Sequence, residues 1–200
     1  MRNTPRSVDR GDELVNGLEH HVLGTPITDP FPIGLSSAVF GMGCFWGVER
    51  LFWEQEGVYT TVVGYAGGET PQPSYREVCS GTTGHAEVVL VIYDAEVIDH
   101  SDMLGLFWEN HDPTQGMRQG ADQGSQYRSI VLCSSIEELE VVRESRRTYQ
   151  ISLSGAGHGS ITTEVGMLRG FHPAEDHHQQ YLSKNPEGYC ALKGTGISCN

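Results

Sequence analysis

Positive charge is scarce in this chain: 13 lysines and arginines stand against 26 aspartates and glutamates, a formal net charge of −13. So acidic a surface repels phosphate backbones, which excludes nucleic acid as a partner. It says otherwise only that the exterior is soluble and anionic. No apolar run approaches the length a membrane span requires, so no membrane partner is expected. Met1 to Arg10 lacks the apolar stretch of a secretory leader, and a cytoplasmic location is expected. CxxC pairs, internal repeats and low-complexity blocks are also missing. Without a CxxC, a zinc ribbon has little support. The five cysteines, Cys44, Cys79, Cys133, Cys190 and Cys199, make an odd set. In a reducing compartment such a set points to redox or catalytic use rather than a disulfide framework.

Hydrophobic residues make up 38% of the 200, with 25 glycines among the rest, which describes a loop-rich globular chain of one domain plus an arm. The arm is expected over residues 1–35, where Pro26, Pro30 and Pro32 prevent a continuous helix or central strand. Its His20-His21 pair reads as solvated. A catalytic domain follows over 36–182, and then a glycine-punctuated tail over 183–200.

The stretch Gly41-Met42-Gly43-Cys44-Phe45-Trp46-Gly47 organises the domain. Ala38 to Phe40 before it reads as a strand, and Val48, Leu51 and Phe52 after it have helical spacing. Cys44 therefore sits at a strand-to-helix turn, where unpaired N–H groups and the helix dipole favour thiolate over thiol. The three glycines leave room for a substrate to approach the sulfur.

Further along, Val58 to Tyr65 and Arg128 to Cys133 read as strands, and Ala86 to Tyr93 as a strand buried on both faces. Helices are expected over Ser74–Cys79, over Met103–His111, from a capping box at Ser135 to about Leu153, and from Pro173 through Leu182. Ile161 to Leu168 reads as a strand. Strands alternating with helices give an α/β or α+β two-layer sandwich. The β-α-β-β-α-β ferredoxin-like plan, a mixed sheet with helices and a long coil tail, is the first guess.

Glu87 is the one ionisable group in the apolar strand 86–93. It reads either as a strand-end carboxylate in water or as a desolvated acid kept protonated near neutral pH; a nucleophile nearby favours the acid. Tyr75, Tyr127 and Tyr181 lie in polar, turn-like contexts where a phenol can donate to a substrate oxygen, but spacing does not show that they converge. Cys190 and Cys199, on a flexible tail, can reach an oxidised cysteine and form a disulfide. Cys79 and Cys133 read as structural. Two other chemistries stay open: a cysteine hydrolase using His85 or His111 as base, and a metal site among His172, His177, His178, Cys190 and Cys199.

Gly43-Cys44-Phe45-Trp46-Gly47 resembles the signature of the A-class peptide methionine sulfoxide reductases. Tyr75 to Gly81, Gly84 to Glu87, Phe107 to Pro113, Gln126 to Ser129, Glu175 to Leu182, Lys184 to Pro186 and Gly188 to Cys190 are similar to the same family. The likeness covers about Ser36 to Cys199, with His172 standing where the family commonly has a tyrosine.

The resemblance implies reduction of the S epimer of methionine sulfoxide, free or in peptides, on a ferredoxin-like sandwich with no cofactor and no metal. It implies that Cys44 attacks the sulfoxide sulfur, Glu87 protonates its oxygen, and Tyr75 and Tyr127 hydrogen-bond that oxygen. Phe45 and Trp46 would hold the methyl group, Tyr181 would line the site, and Asp122 would help hold the substrate or the polar network. Cys190 would resolve the sulfenic acid on Cys44, Cys199 would relay the disulfide outward, and thioredoxin would reduce it. A monomer is expected.

Overall fold

The computed structural model describes residues 15–199; the first part of the expected arm, with its Met1–Arg10 stretch, lies outside the described residues. In chain order the elements are β1 (Ser36–Met42), α1 (Phe45–Trp53), β2 (Val58–Ala66), α2 (Tyr75–Cys79), β3 (Ala86–Tyr93), α3 (His100–Glu109), β4 (Arg118–Gln119) and β5 (Asp122–Gln123). There follow β6 (Ser129–Cys133), α4 (Ile136–Gly155), β7 (Glu164–Met167), β8 (Phe171–Pro173) and α5 (Tyr181–Lys184), with single 3-10 turns at Ser125–Tyr127 and Asp176–His178.

Six strands form one sheet in the order β7-β6-β1-β3-β2-β8, while β4 and β5 make a separate ribbon. β6, β1, β3 and β2 are the fourth, first, third and second strands of the expected β-α-β-β-α-β plan, and all three of their pairings are antiparallel. The α/β layers are therefore as expected. The sheet departs from a strict ferredoxin-like plan at its edges, where β7 adds in parallel to β6 and β8 adds antiparallel to β2.

The period-2 geometry of β3 sorts its side chains. Val89, Val91 and Tyr93 face the helices with Phe40, Phe52, Phe107 and Trp108, whereas Val88 joins Val39, Val62 and Ile130 on the opposite face. Glu87 shares its parity with Val89 and so points to the helix side. Phe40 lies between Phe52 and Phe107 at ring-centroid distances of 5.0 and 5.5 Å. Burying each such ring contributes roughly 1.5–3 kcal/mol. Val15 and Ile27, on the segment before β1, are buried against the opposite face. His20 is not solvated as expected: it is buried, lies edge-on to Trp53 and has its Nε2 2.8 Å from Thr61 Oγ1.

Local signals explain most helix starts. Ser74 and Glu77 form a complete capping box for α2. At α4, Ser135 Oγ accepts the Glu138 N–H, but Glu138 returns its bond to Ser134 rather than to Ser135. The helix expected from Pro173 is absent. Phe171–Pro173 pairs with Gly64–Ala66 as a strand, a 3-10 turn follows, and helix begins only at Tyr181. Pro173 has no N–H to lose from the ladder at the end of an edge strand, where proline is tolerated.

Candidate active site

Cys44 caps the N-terminus of α1, and no side chain makes the cap hydrogen bond. β1 delivers the chain to this point through Gly43, whose φ of +99° is a conformation that side chains rarely adopt. The flanking glycines serve packing within the protein rather than access for a substrate. A Cβ on Gly41 would lie 2.5 Å from Ile130 Cγ2 and 2.9 Å from Glu87 O, and one on Gly43 would lie 2.8 Å from Gln119. A Cβ on Gly47 would lie 2.8 Å from the sulfur of Cys190.

The carboxyl of Glu87 reaches the same helix terminus. Its Oε2 accepts the backbone N–H of Phe45, the residue after Cys44, at 3.1 Å. Burial pushes the Glu87 carboxyl up to about 8, helped by the nearby charge of Asp122 and opposed by the Phe45 N–H. At neutral pH it is mostly a protonated acid.

The Cys44 thiol departs from expectation. Burial, then Glu87 once it ionises and the charge of Asp122, hold it far above the usual thiol range, and the hydrogen bond from the Trp46 N–H offsets only part of this. Desolvation thus outweighs the helix terminus, and the sulfur rests as a thiol.

Tyr75 and Tyr127 do converge. Both phenols are raised by burial and lie within electrostatic reach of Glu87, of each other's site and, for Tyr127, of Cys44. Each is held by a polar anchor: the half-buried Glu175 accepts the Tyr75 N–H at 3.1 Å and the Tyr65 hydroxyl at 3.0 Å. Arg128 grips the turn that carries Tyr127, donating to Ser125 O at 2.9 Å and to Glu164 at 2.8 Å. Asp122, on the β4–β5 ribbon, accepts the Tyr189 hydroxyl at 3.2 Å on both oxygens.

The aromatic wall is built in layers. Trp46 stacks on Tyr181 with centroids 3.9 Å apart, and Phe45, fully buried, lies between Tyr65 and His178. Tyr181 therefore backs the indole rather than joining the other two phenols. Trp46 Nε1 donates to His178 Nδ1 at 3.3 Å, which requires a neutral ring; burial holds His178 down to about 4.

The remaining thiols separate. Cys190 lies against Gly47 on α1, where the Arg50 guanidinium donates to its sulfur at 3.4 Å. Cys199 is elsewhere, its N–H bonded to Glu109 and its side chain beside a cavity of about 350 Å³ between α3 and α4, near Ser101, Ser145 and Tyr149. The tail leading to it is docked rather than loose: Tyr149 donates to Ile197 O at 3.0 Å. Cys133 is buried, whereas Cys79, expected to be structural, is exposed at the end of α2 and hydrogen-bonded to Tyr75.

A family model described as peptide methionine sulfoxide reductase matches residues 36–197. The chain belongs to this family. A peptide methionine sulfoxide reductase MsrA of Rhodospirillum centenum is 54% identical over 99% of this chain and 92% of its own length. A mitochondrial peptide methionine sulfoxide reductase of Bos taurus is 57% identical, covering 95% of this chain and 82% of that protein. Among solved structures, methionine sulfoxide reductase A of Corynebacterium diphtheriae superposes with a TM-score of 0.81 at 43% identity, covering 98% of each chain. Mxr1 of Saccharomyces cerevisiae in complex with Trx2 shares the fold at a TM-score of 0.56 and 21% identity, over 86% of this chain and 96% of that one.

The geometry does not favour the alternative chemistries. His111 has Nδ1 on Phe107 O and Nε2 on Ser129 Oγ, both at 2.7 Å, and so has no nitrogen left for a nucleophile. His85 lies buried beside Gly68, edge-on to the His172 ring at a centroid distance of 5.5 Å. Three of the nominated metal ligands are separately engaged: His178 accepts from Trp46, Cys190 accepts from Arg50 on α1, and the Cys199 N–H bonds Glu109 at the end of α3.

Glu49, Glu175, Arg128 and Tyr189 were not singled out from the sequence, and His178 was nominated only as a metal ligand. Each is polar and each is held by a residue distant in the chain. Glu49 is wholly buried on α1, accepting the Gln180 backbone and side-chain N–H at 2.8 and 2.7 Å and the Thr61 hydroxyl at 3.1 Å. It fixes Gln180 in a left-handed conformation, φ 47°, immediately before Tyr181. Signals existed in the Glu175–Tyr181 stretch, but only as part of a family pattern.

Proposed function

We infer that this chain reduces methionine-S-sulfoxide, free or in proteins, to methionine, and so repairs oxidative damage. The observation that carries the reading is the Glu87 carboxyl seated on the first N–H of the helix capped by Cys44. A nucleophilic sulfur and an uncharged acid share one helix terminus, and sulfoxide reduction needs both at one S=O bond.

The substrate's methyl group packs on Phe45 and Trp46, while Tyr75 and Tyr127 donate to its oxygen. As Cys44 attacks the sulfoxide sulfur, Glu87 gives its proton to the oxygen and recovers one from the Cys44 thiol. The hydroxyl then passes to the Cys44 sulfur, leaving sulfenic acid and methionine. Oxygen, protons and electrons balance without a cofactor. Asp122 steadies this polar rim through Tyr189.

Cys190 then displaces water from the sulfenic acid as a disulfide, Cys199 takes over that disulfide, and thioredoxin reduces it. Thioredoxin is supported by the Mxr1–Trx2 assembly of the same fold. Because residues 195–199 are docked on α3 and α4, their release is part of this relay.

The test is an assay of both sulfoxide epimers with dithiothreitol. Reduction of the S epimer alone, abolished in Cys44→Ser, is expected; turnover by Cys44→Ser would refute the assignment.

A further inference from the structure

We propose that Arg50 is a catalytic residue of the second half of the cycle, stabilising the Cys190 thiolate that attacks the Cys44 sulfenic acid. The proposal rests on the reading of Cys190 as the resolving thiol.

Arg50 and Gly47 are three residues apart on α1 and so share one helix face. Gly47 provides the space for the Cys190 sulfur, Leu192 packs on the same glycine, and the Arg50 Nη2 donates to that sulfur at 3.4 Å. The Cys44 thiol lies within electrostatic reach of Cys190, so the two sulfurs that must join already share a neighbourhood. Cys44 itself and the Tyr189 phenol, with Asp122 behind the phenol, are ionisable groups within electrostatic reach of Cys190. All of them are neutral or anionic and disfavour a second negative charge. Arg50 supplies the one cation in contact with the sulfur among the described residues, and no carboxylate of the described residues forms an ion pair with it. A guanidinium keeps its charge at any physiological pH, and the thiolate is the attacking form.

The step balances within the chain. Cys190 loses its proton, its sulfur bonds to the Cys44 sulfur, and the Cys44 S–O bond breaks. The departing hydroxide and the released proton leave as water. Cys190 is oxidised and Cys44 reduced by the same electron pair, so no further oxidant enters.

Single-turnover mixing of the full chain with methionine-S-sulfoxide, quenched with dimedone, separates the two half-reactions. Arg50→Met is expected to release one equivalent of methionine at the wild-type rate while sulfenic acid accumulates, with disulfide formation slowed about tenfold, because the attacking sulfur loses its cationic partner. Arg50→Lys keeps the charge and is expected to recover most of the rate. Disulfide formation at the wild-type rate in Arg50→Met would overturn the proposal. So would equal slowing in Arg50→Lys, which would assign the effect to shape, or a slowed methionine burst, which would place Arg50 in the first half-reaction. Cys190→Ser, run in parallel, tests the reading beneath: unimpaired thioredoxin-driven cycling in that variant would remove Cys190 from the relay, whatever Arg50 does.

Discussion

Glu87 Oε2 accepts the Phe45 backbone N–H at 3.1 Å, and through that bond the acid on β3 is fixed to the helix that presents Cys44. The two residues lie 42 positions apart in the chain. Their meeting depends on the register of β1 against β3, which sets Phe40 opposite Val89 and brings the end of β1 beside the start of β3. The same first-turn N–H that would otherwise favour a thiolate is spent on the carboxyl. That explains how Glu87 remains fixed in place while uncharged.

The resting thiol has a direct consequence. Cys44 without substrate should react with iodoacetamide at pH 7 at least tenfold more slowly than an unperturbed cysteine, because the thiolate is the reactive form. Above about pH 8, where Glu87 ionises, Glu87→Gln removes the second-largest influence on the thiol after burial. At pH 9 alkylation should therefore be faster in that variant than in wild type, even as reduction of the sulfoxide is lost. Mass spectrometry of the labelled peptide measures both.

Gly47→Ala places a Cβ 2.8 Å from the Cys190 sulfur and 3.3 Å from Leu192 Cβ. The tail must shift away from α1, while Cys44 and Glu87 stay where they are. The expected outcome is an unchanged methionine burst with disulfide formation slowed about tenfold or more, since a displacement of this size misaligns the reacting sulfurs. Quenched-flow analysis with peptide mapping of the disulfide checks it.

Glu49 offers a pH test of stability. Burial raises its carboxyl from the ordinary 4.5 to about 8. A group raised on folding contributes fully below its unfolded value, and the contribution is lost as pH rises through the folded value. Glu49→Gln cannot titrate. The melting-temperature advantage of wild type over that variant should thus be largest near pH 4.5 and shrink toward pH 8.5, as followed by differential scanning calorimetry. An advantage that grows with pH would show that Glu49 is buried as an anion.

What could be read from the sequence was local. Cys44 stood out because a glycine-flanked cysteine falls between a strand pattern and a helix pattern, and Glu87 because a lone carboxylate interrupts an apolar strand. The inner sheet followed from the alternation of these patterns. What could not be read depends on contacts made across the chain. The charge state of Cys44 is decided by burial beneath other elements, which overrides the local dipole. Pro173 has the sequence of a helix start but is drawn into the sheet by β2. Gln180, which Glu49 holds, and Tyr75, which Glu175 holds, lie 131 and 100 residues away and leave no mark on local periodicity. Gly47 signalled space around a sulfur, but that sulfur proves to be the one on Cys190.

The most direct measurement is the pH dependence of methionine formation in a single turnover with the S-sulfoxide, for wild type and Glu87→Gln. The acid must carry its proton, and burial sets it at about 8, so the wild-type rate should hold below that pH and fall above it. Glu87→Gln should be slower by about 100-fold or more, the usual worth of a positioned acid, and its remaining rate should lack that alkaline fall. A Glu87→Gln enzyme that matches wild type in rate and pH profile would contradict the account.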